Sequence, residues 1–149
     1  VAVGAEIAPL TKGPLTTAHL MRWSAAMENW HKIHYDKPFA LAHEQLPGLL
    51  VNGSLKQQFM LQLLKDWVGP GGWVWKVSFQ FRAMNLVEET LSVWGRVSAK
   101  RDGPGYGLID LELGIVNEEM KESTPGKATV AVPYRGGAAL PYPFVPPPS

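Results

Sequence analysis

The segment ENWHKIHYD at residues 28–36 contains two histidines, a tyrosine and two acidic residues within nine positions. An imidazole titrates near neutral pH, so His31 and His34 can each act as an acid or a base. A plainer interpretation is that both are loop histidines with satisfied hydrogen bonds, and that Asp36 caps a short helix at 37–43. The segment is the first candidate for a site of proton transfer.

A metal site is a second interpretation of the same histidines. Imidazoles bind zinc and iron, so His31, His34 and His43 with a nearby carboxylate could form a ligand set. Their spacing matches no established ligand signature. We therefore expect no metal.

The second candidate for chemistry is LPGLLVNGS at 46–54, which leads directly into a long helix. Gly53 allows a ligand to approach the backbone closely, and the first amides of a helix have no acceptor within it. With the positive end of the helix dipole, such amides can hold a developing oxyanion, for example a thioester enolate. The plainer interpretation is an ordinary helix start capped by Asn52 or Ser54.

The long helix that begins there is predicted over 52–68. Lysines and glutamines such as Lys56 lie between its apolar positions, which predicts one helix with a wide apolar face. Its apolar positions are Leu55, Phe59, Met60, Leu63, Leu64 and Trp67.

Strands are predicted on both sides of this helix. After the breaker GPGG at 69–72, the run 73–82 alternates apolar and polar residues, and further alternating runs follow at 90–99, 108–116 and 128–132. The first half predicts a strand near 2–9 and a helix over 17–29 begun by a threonine cap. This order predicts an α+β hot-dog fold, in which a curved antiparallel sheet wraps around one long central helix.

Composition narrows the classes of function. The chain has 149 residues and a net charge of +1, so no strong field favours nucleic acid or an anionic membrane. It has no cysteine, and its longest apolar segment is too polar to span a bilayer. We interpret Val1 as a processed or trimmed terminus and expect a cytoplasmic location.

The composition changes sharply near Pro133. We predict one hot-dog domain over 1–133, followed by a proline-rich tail over 134–149. The tail is either a flexible end or an arm on a partner subunit, with Tyr142, Phe144 and Val145 as anchors.

Four motifs over roughly 20–100 together resemble the MaoC-like hydratase/dehydratase family: IHYD, PGLLVNG, DWVGPGGWVWKVSFQFR and TLSVWGRV. The site motif of that family resembles D-x-N-P-I-H-x-D. The resemblance implies that His34 is the catalytic histidine and that Gly53 is the glycine whose amide binds the thioester carbonyl. Asn29 stands where the family usually has aspartate, and His31 and Lys32 replace Asn-Pro.

The string NWHKIHYD is similar to a subgroup that includes mesaconyl-CoA hydratase-like proteins, in which asparagine also holds this position. The helix-flanking segments also resemble the small subunits of heteromeric enoyl-CoA hydratases. Those subunits work beside a second hot-dog chain.

The resemblance implies a hydratase/dehydratase that adds water to a 2-enoyl thioester, carried by coenzyme A or an acyl carrier, to give a 3-hydroxyacyl thioester. His34 would be the general base, Asn29 would fix the water, and the Gly53 amide would stabilise the enolate-like oxygen. Since an amide cannot accept the proton of water, the usual acid–base pair is incomplete. His31, Tyr35, Asn52 and Ser54 are the expected substrate-binding residues.

We expect no metal or redox cofactor, because the thioester itself stabilises the developing charge. We also expect a homodimer, or a heterodimer with a second hot-dog chain. Two alternatives remain: a hot-dog subunit that is itself inactive, and a thioesterase, for which Asp66 is the carboxylate that the helix offers.

Overall fold

The computed structural model describes residues 1–147, which form two α-helices and five strands. The strands are β1 (Glu6–Lys12), β2 (Trp73–Phe79), β3 (Leu91–Asp102), β4 (Gly107–Val116) and β5 (Gly126–Val132). The helices are α1 (Thr17–Ala26) and α2 (Gly53–Val68), with a 3₁₀ turn at Lys32–His34 and a π-helical turn at Phe39–His43. No helix in the described range is long and apolar enough to cross a membrane.

All five strands belong to one antiparallel sheet with the order β1-β3-β4-β5-β2. The strands β3, β4 and β5 follow one another as a meander, whereas β1 and β2 form the two edges. The helix α2 packs on one face of the sheet, and its apolar side chains share a core with β3, β4 and β5. The predicted α+β hot-dog fold is confirmed.

The boundaries of α2 follow its sequence closely. It begins one residue after the predicted start and ends at Val68, and Leu55, Phe59 and Leu63 are buried as their helical spacing predicts. Trp67 is half-buried at the edge of the core. Lys56 departs from the expected pattern, since it is buried and only 3% exposed.

The predicted single buried face of β2 is wrong. The pairing of β2 with β5 shifts register between Val74 and Lys76. Such a bulge changes which face the following side chains occupy. Val74 and Val77 therefore pack on the core around α2, whereas Trp75 packs on the opposite face of the sheet. The strand ends at Phe79, and Phe81 beyond it is exposed.

The first half of the chain also shifts from its predicted limits. The strand predicted near 2–9 lies at Glu6–Lys12, and α1 ends at Ala26, before a left-handed Glu28 with φ of 51°. Thr16 is the N-cap residue of α1, and its N–H donates to His19 Nδ1 at 3.0 Å, which is the reciprocal bond of a capping box. The short helix predicted at 37–43 is the π-helical turn, and Asp36 Oδ1 accepts the Phe39 N–H at its start at 3.0 Å.

The described part of the tail, residues 134–147, contacts the chain's own sheet. The ring of Phe144 stacks on Trp73 with centroids 5.8 Å apart and also meets Trp75. The Tyr106 hydroxyl donates to the Val145 carbonyl at 2.8 Å. Tyr142, one of the three expected anchors, is 91% exposed. Residues 148–149 of the predicted tail lie outside the described residues.

Candidate active site

His34 is held in one tautomer by the backbone. It lies in the 3₁₀ turn after α1, is buried, and its Nδ1 atom is 2.9 Å from the Leu50 carbonyl oxygen. A carbonyl can only accept a hydrogen bond, so Nδ1 carries the proton and donates it. The lone pair of the neutral imidazole is therefore on Nε2, as a general base requires.

The electrostatics of His34 favour the neutral form. Burial lowers the pKa of His34 below its ordinary value, and the nearby His31 lowers it further. The hydrogen bond to the Leu50 carbonyl opposes this lowering but does not cancel it. The two histidine rings have centroids 6.1 Å apart, with His31 on the exposed side. At neutral pH, His34 is thus uncharged and ready to accept a proton.

The carbonyl that holds His34 is itself fixed by neighbouring backbone. The Leu50 N–H donates to the Ile33 carbonyl at 3.0 Å, next to His34. On the other side, the Val51 N–H donates to the Asn85 carbonyl at 2.9 Å, and the Val87 N–H donates to the Leu49 carbonyl at 3.0 Å. Segment 49–51 is therefore clamped between the histidine turn and segment 85–87. His34 consequently lies beside the start of α2.

The start of α2 presents free donors. The Asn52 carbonyl accepts the Leu55 and Lys56 N–H groups at 3.0 and 3.2 Å, whereas the N–H groups of Gly53 and Ser54 find no acceptor within residues 1–147. A Cβ atom at Gly53 would come within 2.8 Å of the Phe81 ring. Glycine therefore fits at this position, where the Phe81 ring lies too close to the helix start for a side chain.

Two residues of α1 hold this helix start, and the sequence analysis did not identify their role. Trp23 Nε1 donates to Ser54 Oγ at 2.8 Å, and Asn52 Nδ2 donates to Ser24 Oγ at 3.1 Å. Ser24 is fully buried. A serine on an otherwise apolar helix face was the sequence feature that could have indicated a buried hydrogen bond here. Asn52 is also buried, and its Oδ1 atom has no hydrogen-bond partner within the described residues.

Asn29 is tied to the same serine. Its backbone N–H donates to the Ser24 carbonyl at 2.9 Å, so Ser24 connects Asn29 with Asn52 at the helix start. The side chain of Asn29 is half-buried, and its Oδ1 atom accepts the His31 N–H at 3.3 Å. The chain thus brings Asn29, His34 and the first turn of α2 to one end of the helix.

The remaining candidate residues differ in their distance from this centre. The Tyr35 hydroxyl donates to the Trp30 carbonyl at 2.7 Å and so closes the loop that carries His31. Asp66 is exposed in the last turn of α2, at the opposite end of the helix from His34. In the described part of the chain, no three histidine or carboxylate side chains gather as metal ligands.

Lys56 is a further residue at this end of α2 whose place the sequence analysis missed. Its Nζ atom donates to Asn85 Oδ1 at 3.0 Å and to the Ala83 carbonyl at 3.2 Å. Burial lowers the pKa of Lys56 to about 8, and the nearby Glu89 carboxylate opposes that lowering. The spacing of Lys56 could have indicated its burial, since positions 56, 60 and 63 share one face of the helix.

The structure is thus a hot-dog sheet around a helix, and the free N–H groups at the start of that helix lie beside a histidine held in one tautomer. Residues 6–89 match the family described as hydroxyacyl-thioester dehydratase type 2, and the chain belongs to that family. The predicted family resemblance is thereby confirmed. The chain is also 44% identical over 46 residues to mesaconyl-C(4)-CoA hydratase of Chloroflexus aurantiacus. That match covers 31% of this chain and only 16% of the relative.

Solved structures support the fold. The (R)-hydratase of A. caviae superposes with a TM-score of 0.77 at 24% identity, covering 89% of this chain and 98% of that one. The R-hydratase PhaJ1 of Pseudomonas aeruginosa gives 0.79 at 19% identity, covering 100% and 92%. A chain of the ChsH1-ChsH2 complex of Mycobacterium tuberculosis gives 0.77 at 17% identity, covering 88% and 98%.

Proposed function

We propose that this chain hydrates a 2-enoyl thioester to a 3-hydroxyacyl thioester, or catalyses the reverse dehydration. The observation that carries the proposal is the pairing of His34 with the start of α2. The imidazole donates from Nδ1 to the Leu50 carbonyl at 2.9 Å, three residues before the free N–H of Gly53. A base and an oxyanion site at one place are what the addition of water to a conjugated thioester requires.

In the proposed reaction, His34 Nε2 removes a proton from water as the water oxygen bonds to the β-carbon of the substrate. The electron pair of the carbon–carbon double bond moves toward the thioester, and negative charge develops on the carbonyl oxygen. The Gly53 N–H, at the positive end of α2, donates to that oxygen and stabilises the charge. A proton then adds to the α-carbon, and the protonated His34 can supply it. The proposed step needs no redox cofactor or metal.

Asn29 has the role of orienting the water. A carboxamide can accept one hydrogen bond from water and donate another, but it does not remove the proton at neutral pH. The proposed mechanism therefore depends on His34 as its base. The Asn29 N–H donates to the Ser24 carbonyl, and Asn52 Nδ2 donates to Ser24 Oγ. These two bonds support a fixed distance between Asn29 and the helix start.

Of the other predicted site residues, one is proposed to contact the substrate and the rest to support the binding site. His31 is exposed beside His34 and is proposed to contact the bound thioester. Three further side chains form hydrogen bonds within the chain, namely those of Tyr35, Asn52 and Ser54. We propose that they shape the binding site by holding the backbone around it. The acyl carrier is proposed to be coenzyme A or an acyl-carrier pantetheine arm. The predicted cytoplasmic location stays a prediction.

We also propose that the working unit is a dimer. The strands β1 and β2 form the edges of the sheet, and an unpaired edge is a ready surface for association. The partner is either a second copy of this chain or a second hot-dog chain. The similarity to a member of the ChsH1-ChsH2 complex supports testing both.

The test is turnover of a panel of 2-enoyl-CoA esters by the purified chain. Short, branched, dicarboxylic and steroid-sized acyl groups should be included, and the reverse reaction should be run with both 3-hydroxyacyl-CoA enantiomers. Formation of a 3-hydroxyacyl thioester, lost in the His34→Asn variant, is the expected result. Release of free coenzyme A would instead indicate a thioesterase. Activity that arises only when a second hot-dog chain is added, and that survives His34→Asn, would indicate a non-catalytic subunit.

A further inference from the structure

Lys56 is an unusual residue for its location. It lies in the first turn of α2, where the helix dipole disfavours a positive charge, and it is nearly fully buried. Removing an ammonium group from water is unfavourable, and apolar replacements of buried ionic groups are often equally or more stable. Core packing alone therefore gives no reason for lysine at this position.

The hydrogen bonds of Lys56 attach α2 to one specific segment. Its ammonium group donates to the Ala83 carbonyl and to Asn85 Oδ1. Asn85 Nδ2 in turn donates to Glu89 Oε2 at 2.8 Å, and Glu89 Oε1 accepts the Leu86 N–H at 3.0 Å. Lys56, Asn85 and Glu89 thus form a connected network, which we call the lysine network, that fixes segment 83–89 on the first turn of α2.

Segment 83–89 also holds Leu50, whose carbonyl accepts a hydrogen bond from His34. The Asn85 carbonyl accepts the Val51 N–H, and Leu50 pairs with Leu86 through an isolated bridge. The Leu50 carbonyl in turn accepts the proton of His34 Nδ1. A continuous path of hydrogen bonds therefore leads from the Lys56 ammonium, through segment 83–89 and segment 49–51, to the imidazole.

The same ammonium group also faces the ring that borders the helix start. Lys56 Nζ is 5.2 Å from the centroid of the Phe81 ring, within the range of a cation–π contact. A Cβ atom at Gly53 would meet that ring at 2.8 Å, so the ring lies directly against the glycine. Phe81 is exposed, and its ring also meets the ring of Phe79, with centroids 5.2 Å apart.

We propose that Lys56 is a positioning residue for the hydration reaction, which holds His34 and the Gly53 N–H in register through the lysine network. This inference rests on the proposed function of His34 and Gly53. Lys56 itself is not proposed to touch the substrate. Since a misplacement of catalytic groups by about 1 Å can cost roughly 100-fold in rate, a network that fixes both groups has a large effect on turnover.

The test is Lys56→Met, which keeps the length of the side chain and removes its donors. Its matched control is Lys65→Met, since Lys65 is an exposed lysine in the last turn of the same helix. We expect kcat to fall by about 10- to 100-fold in Lys56→Met, with KM changed by less than about threefold. Lys65→Met should match the wild type. A folded Lys56→Met variant with wild-type kcat would overturn the proposal.

A second measurement does not depend on activity. Nitrogen-15 NMR of the imidazole reports the tautomer and pKa of His34, and we expect the Nδ1-protonated signal of the wild type to shift or mix with the other tautomer in Lys56→Met. An unchanged His34 signal would count against the proposal even if turnover were lower. If no thioester is hydrated by the wild type, the proposed function fails, but this signal still decides whether Lys56 positions His34.

Glu89→Ala provides a variant that is safer for folding, because Glu89 is only half-buried. It removes the two carboxylate oxygens of Glu89 from the network and leaves α2 intact. We expect the same direction of change in kcat and in the His34 signal, smaller than in Lys56→Met. If Lys56→Met does not fold, a Glu89→Ala variant with both properties unchanged would refute the role of the lysine network.

Discussion

Replacing His34 separates its structural hydrogen bond from its proposed chemistry. In His34→Ala the base is lost, which typically lowers a rate by about two to four orders of magnitude. At about 1.36 kcal/mol per factor of ten, this corresponds to roughly 2.7 to 5.4 kcal/mol of activation free energy. The same variant also leaves the Leu50 carbonyl without its donor, at a cost of roughly 1–3 kcal/mol in the free energy of unfolding.

The variant His34→Asn divides these two effects. The side-chain amide of asparagine can place an N–H near the position of Nδ1 and donate to the Leu50 carbonyl, but it has no basic nitrogen. We therefore expect His34→Asn to be closer to the wild type in stability than His34→Ala, and equally low in turnover. The contrast depends on the geometry observed, in which one ring nitrogen is bonded to the backbone and the other is left as the base.

The assay pairs steady-state rates with urea unfolding. Values of kcat and KM on one good 2-enoyl-CoA ester should be measured for the wild type, His34→Ala and His34→Asn. His43→Ala is the control, because the side chain of His43 is 71% exposed and is not part of the proposed site. Turnover by His34→Asn within a few-fold of the wild type would refute the assignment of His34 as the base.

The remaining predictions concern the water, the pH dependence, the core and the tail. Asn29→Asp should retain or raise turnover, because a carboxylate can accept a proton from the water, whereas the amide can only orient that water. Initial rates on the same ester measure this change. The kcat/KM profile should fall only below a pH of about 6.5, since burial keeps the pKa of His34 below its ordinary value and the neutral imidazole is the base. Stability should decline over the same range, because the unfolded chain binds the proton first as the pH falls. Leu63→Ala should lower the free energy of unfolding by roughly 2–5 kcal/mol in urea, because its side chain is 4% exposed in the core. Deleting 134–149 should leave a folded 1–133 domain with a melting temperature lower by a few degrees, because Phe144 would no longer cover Trp75.

Each of these has a clear contrary outcome. A loss of activity in Asn29→Asp comparable to that of an alanine variant would mean that the site excludes a carboxylate. If kcat/KM already falls at a pH above the ordinary histidine pKa, the prediction that burial lowers the pKa of His34 is contradicted. A near-zero effect of Leu63→Ala would contradict its place in the core. If the truncated chain is unchanged in stability but loses its dimer in gel filtration, the tail acts as an arm on a partner subunit.

The sequence by itself determined the elements of the fold. The helix α2 was predictable to within a residue, because its apolar spacing has a helical period and Gly-Pro-Gly-Gly ends it. The meander β3-β4-β5 was predictable from alternation, since a strand with one buried face repeats every two residues. The resemblance carried by the motif IHYD selected His34 from four histidines, a choice that spacing and composition alone left open.

Only the tertiary structure decided how these elements meet. The bulge in β2, the fit of Ser24 and Trp23 against the helix start, and the burial of Lys56 depend on residues far apart in the chain. Local periodicity reports which face of an element is apolar, but not which donor will meet which acceptor across a packed interface. The proton on His34 Nδ1 is the clearest case, because it depends on a carbonyl sixteen residues away whose position is set by long-range backbone pairing.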